Sequence, residues 1–211
     1  MLPTLTPMTE PVSPSDGLAV LHLFCKISPA SQGPAIRSAV AGARESGNQV
    51  VTAALLGHKA DIGFMILGRD LWQLRNLQTS LMGAGLEIVD SFVSLTEISE
   101  YAAGLPEAMK ETRLRPQLPP EGKPAFCFYP MSKRRGEKDN WFTLPADERS
   151  ALMHEHGTSG RAFAGRILQV ITGSTGLDDY EWGVSLFGQH PDDLKEVVYT
   201  CLLYTSPSPR D

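Results

Sequence analysis

Surplus positive charge is the first thing this sequence lacks: 19 Lys and Arg stand against 24 Asp and Glu, for a formal net charge of −5. Proteins that coat nucleic acid neutralise phosphates with an excess of Lys and Arg. That class is excluded, and any anion site must be a local cluster. Cysteine is scarce, since Cys25, Cys127 and Cys201 lie far apart with no C-x-x-C spacing. Neither a zinc knuckle nor a disulfide framework can be read from them, and a reducing, cytoplasmic compartment is the expectation. No apolar run approaches the roughly 20 residues of a membrane helix, so no membrane span is expected. Met1–Ser15 holds four prolines and no basic residue. It lacks the charged start and apolar middle of a secretory signal and reads as a disordered N-terminal arm, 1–15.

What is present is an alternation of strand and helix patterns. Leu18–Lys26 is apolar and bounded by turn residues, which predicts a strand; Ser31–Glu45 carries Ile36, Val40 and Ala43 at helical spacing and stops at Gly47. Val50–Leu56 and Ile62–Leu67 form a predicted hairpin, Leu71–Met82 a second helix, and Leu86–Leu95 a fourth strand. This βαββαβ order over 16–105 is the ferredoxin-like unit. A connector rich in proline and charge, 106–123, leads to a second such pattern over 124–200: strand Ala125–Met131, helix Pro145–Gly165, strands Ile167–Thr172 and Glu181–Phe187, helix Asp192–Thr200. The fold class expected is therefore α+β, two tandem ferredoxin-like repeats, the second truncated before its last strand. The run 201–211 has no strand pattern and resembles translated sequencing-adapter read-through. A sheet without that strand would keep an open edge.

Several residues are candidates for chemistry. Tyr129 ends an apolar strand that turns abruptly basic at Lys133, Arg134 and Arg135, so a phenol stands beside three cations suited to carboxylate or phosphate. A core tyrosine before a solvated basic loop has the same spacing, and spacing does not decide between the two. His154 and His156 lie two apart on a predicted helix and point to different faces, so at most one ligates a metal. His156 is the better candidate, because Gly157 follows it and imidazole is a common axial partner of haem iron; a lone helical histidine is also often an ordinary packing residue. His22, His58 and His190 lie in a strand pattern or beside turns. Gly173-Ser174-Thr175-Gly176 lacks the lysine of a phosphate loop and reads as a turn, with Asp178, Asp179 and Glu181 making its exit acidic. Trp72, Trp141 and Trp182 read as packing residues. Arg115 in the connector is a possible anion clamp or a solvated surface arginine.

Read in order, Tyr129-Pro130-Met131-Ser132-Lys133-Arg134-Arg135, Asn140-Trp141-Phe142, His156–Arg161, Gln169–Ser174 and Asp178–Phe187 resemble the chlorite dismutase superfamily, and within it the haem-synthesis branch of coproheme decarboxylases. The resemblance covers roughly residues 16–200 and is dense from Arg115 to Phe187. It implies a dimeric α+β barrel-type subunit of two ferredoxin-like repeats, with the C-terminal repeat holding the porphyrin, in a homo-oligomeric ring of five subunits. It also implies a reaction. Fe-coproporphyrin III (coproheme) is both substrate and redox centre, hydrogen peroxide is the oxidant, and two propionates leave as CO2 through a three-propionate intermediate to give haem b.

Carried over position by position, the resemblance makes Tyr129 the catalytic tyrosine that abstracts hydrogen from a propionate. Pro130, Met131 and Ser132 become the binding segment and Lys133 the lysine near the second reactive propionate. It makes Arg115 a propionate-binding arginine, Gln169 the distal glutamine and His156 the axial ligand to iron. A neutral Gln169 favours the synthase branch, because chlorite-degrading relatives carry a distal arginine there. A chlorite-degrading or peroxidase-type enzyme, or a non-catalytic haem-binding member of the fold, is the alternative. The family's C-terminal serine contact has no equivalent in Ser206 or Ser208, and Thr112 and its neighbours offer no distal histidine base.

Overall fold

The computed structural model describes residues 10–102, 104–138 and 140–204, without the side chains of 202–204. Residues 1–9 of the expected arm and 205–211 of the expected read-through tail lie outside the described residues. The chain divides into two compact units, Met1–Ser91 and Phe92–Asp211. The division falls ahead of the expected boundary at 105. Residues just after it bond within the second unit: Val93 N–H donates to Asp178 Oδ2 at 2.8 Å, and Thr96 Oγ1 donates to the Leu114 carbonyl at 2.8 Å.

In the first unit, β1 (Ala19–Lys26), α1 (Gly33–Glu45), β2 (Gln49–Ala54), β3 (Ile62–Gly68), α2 (Leu71–Gly83) and the start of β4 (Glu87–Thr96), which runs on into the second unit, follow the expected succession, with strand order β2-β3-β1-β4. β1 and β3 are buried along nearly their whole length on both faces, and as interior strands they pair in register from Ala19 opposite Gly68 to Cys25 opposite Ile62. Leu74, Leu77 and Leu81 recur at three and four residues and form the buried stripe of α2. Asp70 caps that helix, accepting from Trp72 N–H at 3.0 Å and from Val12 N–H at 3.2 Å. Val12, inside the stretch expected to be a disordered arm, is thus held to α2. Trp72, expected to pack, is 43% exposed instead, because the first turn of α2 points it away from the leucine stripe. Gly85 has φ +87°, and a Cβ there would stand 2.3 Å from the Ala30 carbonyl oxygen, so only glycine fits that turn.

The second unit repeats the pattern with β5 (Ala125–Met131), α4 (Ala146–Arg161), β6 (Ile167–Gly173), β7 (Trp182–Gly188) and α5 (Pro191–Val198). Its order, β6-β7-β5, matches β2-β3-β1 of the first unit, and Leu95 and Thr96 of β4 pair with Gly173 and Thr172. Within the connector, expected to be irregular, lies α3 (Glu107–Leu114). Pro106 precedes it, Glu107 sits in its first turn, and the helix formers Ala, Met, Lys and Glu outweigh the flanking prolines. The helix expected to run to Gly165 stops at Arg161; turn bonds from Phe163 and Ala164 and a left-handed Gly165, φ +84°, end it early. α5 gives way to a π-helical turn, Tyr199–Tyr204.

Each face of the second sheet follows from alternation along its strands. Phe126 meets Phe187 on one face, ring centroids 5.1 Å apart, beside Phe128 against Phe92 at 5.4 Å. The opposite face carries Cys127, Tyr129 and Met131, which pack against a core of Phe163, Val184, Leu186, Val197 and Cys201. Leu194 and Val197 place α5 over this second face.

Candidate functional site

Tyr129, Met131 and Gln169 all stand on the helix-side face of the second sheet. Residues directly opposite in an antiparallel ladder share a face. Tyr129 is opposite Val184, and Val184 opposite Ile171. The neighbouring rows are Cys127, Leu186 and Gln169 on one side and Met131, Trp182 and Gly173 on the other. A phenol, a thioether and an amide therefore share an otherwise apolar surface. α5 covers its β5 and β7 portion, while on β6 Gln169 is exposed and Ile171 is 43% exposed. Pro130 points to the other face, opposite Gly183; having no N–H, it suits β5, which pairs on one side only among the described residues.

Past Met131 the strand enters the basic turn. Ser132 Oγ accepts the Glu181 N–H at 3.2 Å, and Lys133 N–H donates to Glu181 Oε2 at 2.9 Å. The Lys133 ammonium lies 4.2 Å from the centroid of buried Trp141, a cation–π contact that holds the charge against an apolar wall. Arg135 forms an ion pair with Glu181 and stacks 4.4 Å from the Phe142 ring. Glu181, read from the sequence as part of an acidic loop exit, is buried and serves as the hub of this turn.

His156 sits half-buried on α4, whose described residues include none that is buried. Its Nδ1 lies 3.3 Å from the backbone carbonyl of Cys201 in the π-helical turn. A carbonyl only accepts, so this contact calls for the proton on Nδ1, and in a neutral imidazole that tautomer puts the lone pair on Nε2, the atom a metal would use. His154, two residues earlier, is exposed. Arg115 is the C-cap of α3 and pairs with Glu111 of the same helix at 2.6 Å. Burial raises the thiol pKa of both Cys127 and Cys201 above the ordinary value, so each behaves as a small apolar side chain. Among the described residues no group of three or more His, Cys, Asp or Glu is placed to hold a metal. A single axial histidine is what a porphyrin iron asks of a protein.

A sequence profile described as chlorite dismutase matches residues 33–204. The chain belongs to the chlorite dismutase family. It is 43% identical to a coproheme decarboxylase of Staphylococcus carnosus over 157 residues, covering 69% of this chain and 61% of that protein. It is also 40% identical to a putative haem-binding protein of Natronomonas pharaonis, across 69% of this chain and 27% of that one. The chain thus spans less than two thirds of the length of these curated relatives. Among solved structures, a haem-binding protein from Thermus thermophilus superposes with a TM-score of 0.76 at 34% identity, covering 87% of this chain and 82% of that one. A chlorite dismutase mutant from Candidatus Nitrospira defluvii has the same fold, with a TM-score of 0.68 at 22% identity, over 89% and 83% of the two chains. The family's α+β fold is therefore the fold of this chain.

Proposed function

We propose that this family member is a coproheme decarboxylase. It would take Fe-coproporphyrin III as substrate and convert two propionates to vinyl groups with hydrogen peroxide, leaving haem b. The observation that carries the reading is the shared sheet face bearing Tyr129, Met131 and Gln169, together with a helix histidine whose Nδ1 proton is committed to a carbonyl. The names of the curated relatives support it.

The chemistry of the donor set fits the substrate. A flat macrocycle with charged rim groups needs an apolar wall, one axial nitrogen and local cations, and a chain of net charge −5 supplies cations only in patches. Ile171, exposed on β6 beside Gln169, offers an apolar wall, while Val184 and Leu186 lie buried beneath α5; His156 Nε2 would be the axial nitrogen, and Lys133 and Arg115 the cations for carboxylates. Of the segment between Tyr129 and Lys133, Met131 shares the Tyr129 face and Ser132 holds the turn, while Pro130, turned to the other face, would contribute through its backbone. Each propionate that becomes a vinyl group gives up one carboxyl as CO2, one β-hydrogen and two electrons. Peroxide takes the electrons and leaves as two waters. Bound porphyrin iron would supply the oxidising power, and the protein's part would be to hold the Tyr129 side chain against the reactive β-carbon, where its phenol, having lost a proton and an electron, accepts the β-hydrogen as a phenoxyl radical and is restored, and to present the neutral amide of Gln169 on the same sheet face. A neutral amide at Gln169 offers no fixed charge to retain an anionic oxidant such as chlorite. The reading extends to a homopentamer in the cytoplasm, which rests on the family resemblance.

The test is to mix the purified protein with iron coproporphyrin III, titrate hydrogen peroxide, and follow the porphyrin by mass spectrometry. Stepwise loss of two carboxyl groups is expected. Tight binding with no mass loss would make the chain a haem-binding relative without this activity, and chlorite breakdown in place of decarboxylation would move it to the other branch.

A further inference from the structure

Glu181 is a carboxylate only 5% exposed, at the residue that leads into β7, and its side chain and N–H both turn to one segment, Ser132–Arg135. Oε2 accepts the Lys133 N–H at 2.9 Å, the Arg135 guanidinium pairs with the carboxylate, and the Glu181 N–H donates to Ser132 Oγ at 3.2 Å. Its carbonyl accepts the Ser174 N–H at 2.8 Å, which fixes the residue from the β6 side as well. A buried carboxylate is costly unless its lone pairs and charge are met. Here, among the described residues, they are met by Lys133 and Arg135 of the turn, so the turn and the acid determine each other.

The consequence for Lys133 is direct. Its backbone is pinned by Glu181 while its ammonium lies on the Trp141 ring. Trp141 is pinned in turn, its N–H donating to the Arg134 carbonyl at 3.0 Å, beside the bridge between Arg135 and Asn140. Tyr129 has a separate anchor, the β5–β7 ladder that sets it opposite Val184. The two residues proposed to meet the two reactive propionates are therefore held by different means.

We propose that Glu181 is a positioning residue: by fixing Ser132–Arg135 it sets the Lys133 ammonium for the second reactive propionate, and it acts on that step and not on the one served by Tyr129. The inference rests on the decarboxylase reading above.

Glu181→Gln keeps the size and one acceptor and removes the charge. In the substrate-free protein, hydrogen exchange at the Lys133 amide is expected to quicken by about tenfold or more while the β6–β7 ladder exchanges as before. With coproheme and limiting peroxide, the first decarboxylation is expected to stay within about twofold of wild type, and the ratio of three-propionate intermediate to haem b to rise by about tenfold, the scale of loss that follows a misplaced binding group. Wild-type exchange with a wild-type product ratio overturns the proposal. Faster exchange with an unchanged ratio makes Glu181 a structural residue only and overturns it equally. Should Glu181→Gln fail to fold, Arg135→Ala removes the same ion pair from the solvent side, and intermediate accumulation is again expected; a wild-type ratio there overturns the proposal. A wild-type protein that binds coproheme without decarboxylating it defeats the functional reading itself, an outcome distinct from an active wild type that Glu181→Gln leaves unchanged.

Discussion

His156 Nδ1 donates to the backbone carbonyl of Cys201 at 3.3 Å. The identity of residue 201 should therefore matter little to the imidazole, whereas residue 156 should matter entirely. Cys201→Ala is expected to keep the histidine-ligated absorption and resonance Raman signature of bound ferric coproheme. His156→Ala is expected to lose it and to regain it with added imidazole. An unchanged spectrum in His156→Ala would place the axial ligand elsewhere.

Tyr129→Phe removes one oxygen from a side chain whose ring packs against the Val184 and Leu186 core. The packing survives and the hydrogen acceptor does not. Coproheme binding is expected to change by less than a few fold, while peroxide-driven decarboxylation falls by about two to four orders of magnitude, the range lost with a side chain that moves a proton in the transition state. Comparing a binding titration with single-turnover mass spectrometry separates the two. Retained turnover would mean that another group accepts the β-hydrogen.

Much of this is legible in the residues themselves. The bounds of β5, Ala125 and Met131, can be read because an apolar alternation meets Pro124 on one side and a basic turn on the other. The rows that bring Gln169 onto the face of Tyr129 follow once β7 is seen between β6 and β5, and a ferredoxin-like order predicts that arrangement. What stays hidden depends on distant partners. Glu181 reads only as one of three acids at a loop exit, and nothing in the sequence shows that it is buried against Lys133 and Arg135. The Cys201 carbonyl carries no side-chain signal at all. α3 escapes a reading by composition because prolines at both ends of the connector mask the run Glu107–Leu114, in which every residue but Thr112 is a good helix former.

His22 offers a test of burial by pH. It is fully enclosed in β1, and desolvation lowers its pKa from 6.5 to about 3, so it stays neutral in the folded protein through the acid range. The unfolded chain takes up a proton below about 6.5 and the folded chain does not, so stability from this site is complete above that pH and declines as pH falls towards 3. Each pH unit in that window costs about 1.4 kcal/mol, or about 2 kcal/mol by pH 5. Urea unfolding of wild type at pH 7 and pH 5 is expected to show that loss, and His22→Gln is expected to remove most of it. Equal pH slopes in the two proteins would mean that His22 titrates normally.

Asp193 acts in a lower window. Its carboxylate is buried at the start of α5, where it accepts from Arg166 Nε at 2.9 Å and from the His190 N–H at 3.1 Å. The bond from Arg166 is the main cause that holds its pKa below the ordinary carboxylate value, against the opposing effect of burial. A carboxyl with a depressed folded pKa contributes fully above its unfolded value, about 3.9, and the contribution disappears as pH falls through the folded value beneath it. Asp193→Asn is therefore expected to melt at a lower temperature than wild type by a constant margin from pH 8 to about 4.5, with the margin closing below that. A margin that persisted at pH 2.5 would assign the loss to packing and not to charge. Because α5 runs into the turn that carries the Cys201 carbonyl, loosening its first turn should also free the partner of His156. Bound coproheme would report this as a weaker iron–histidine stretching signal in Asp193→Asn at pH 7.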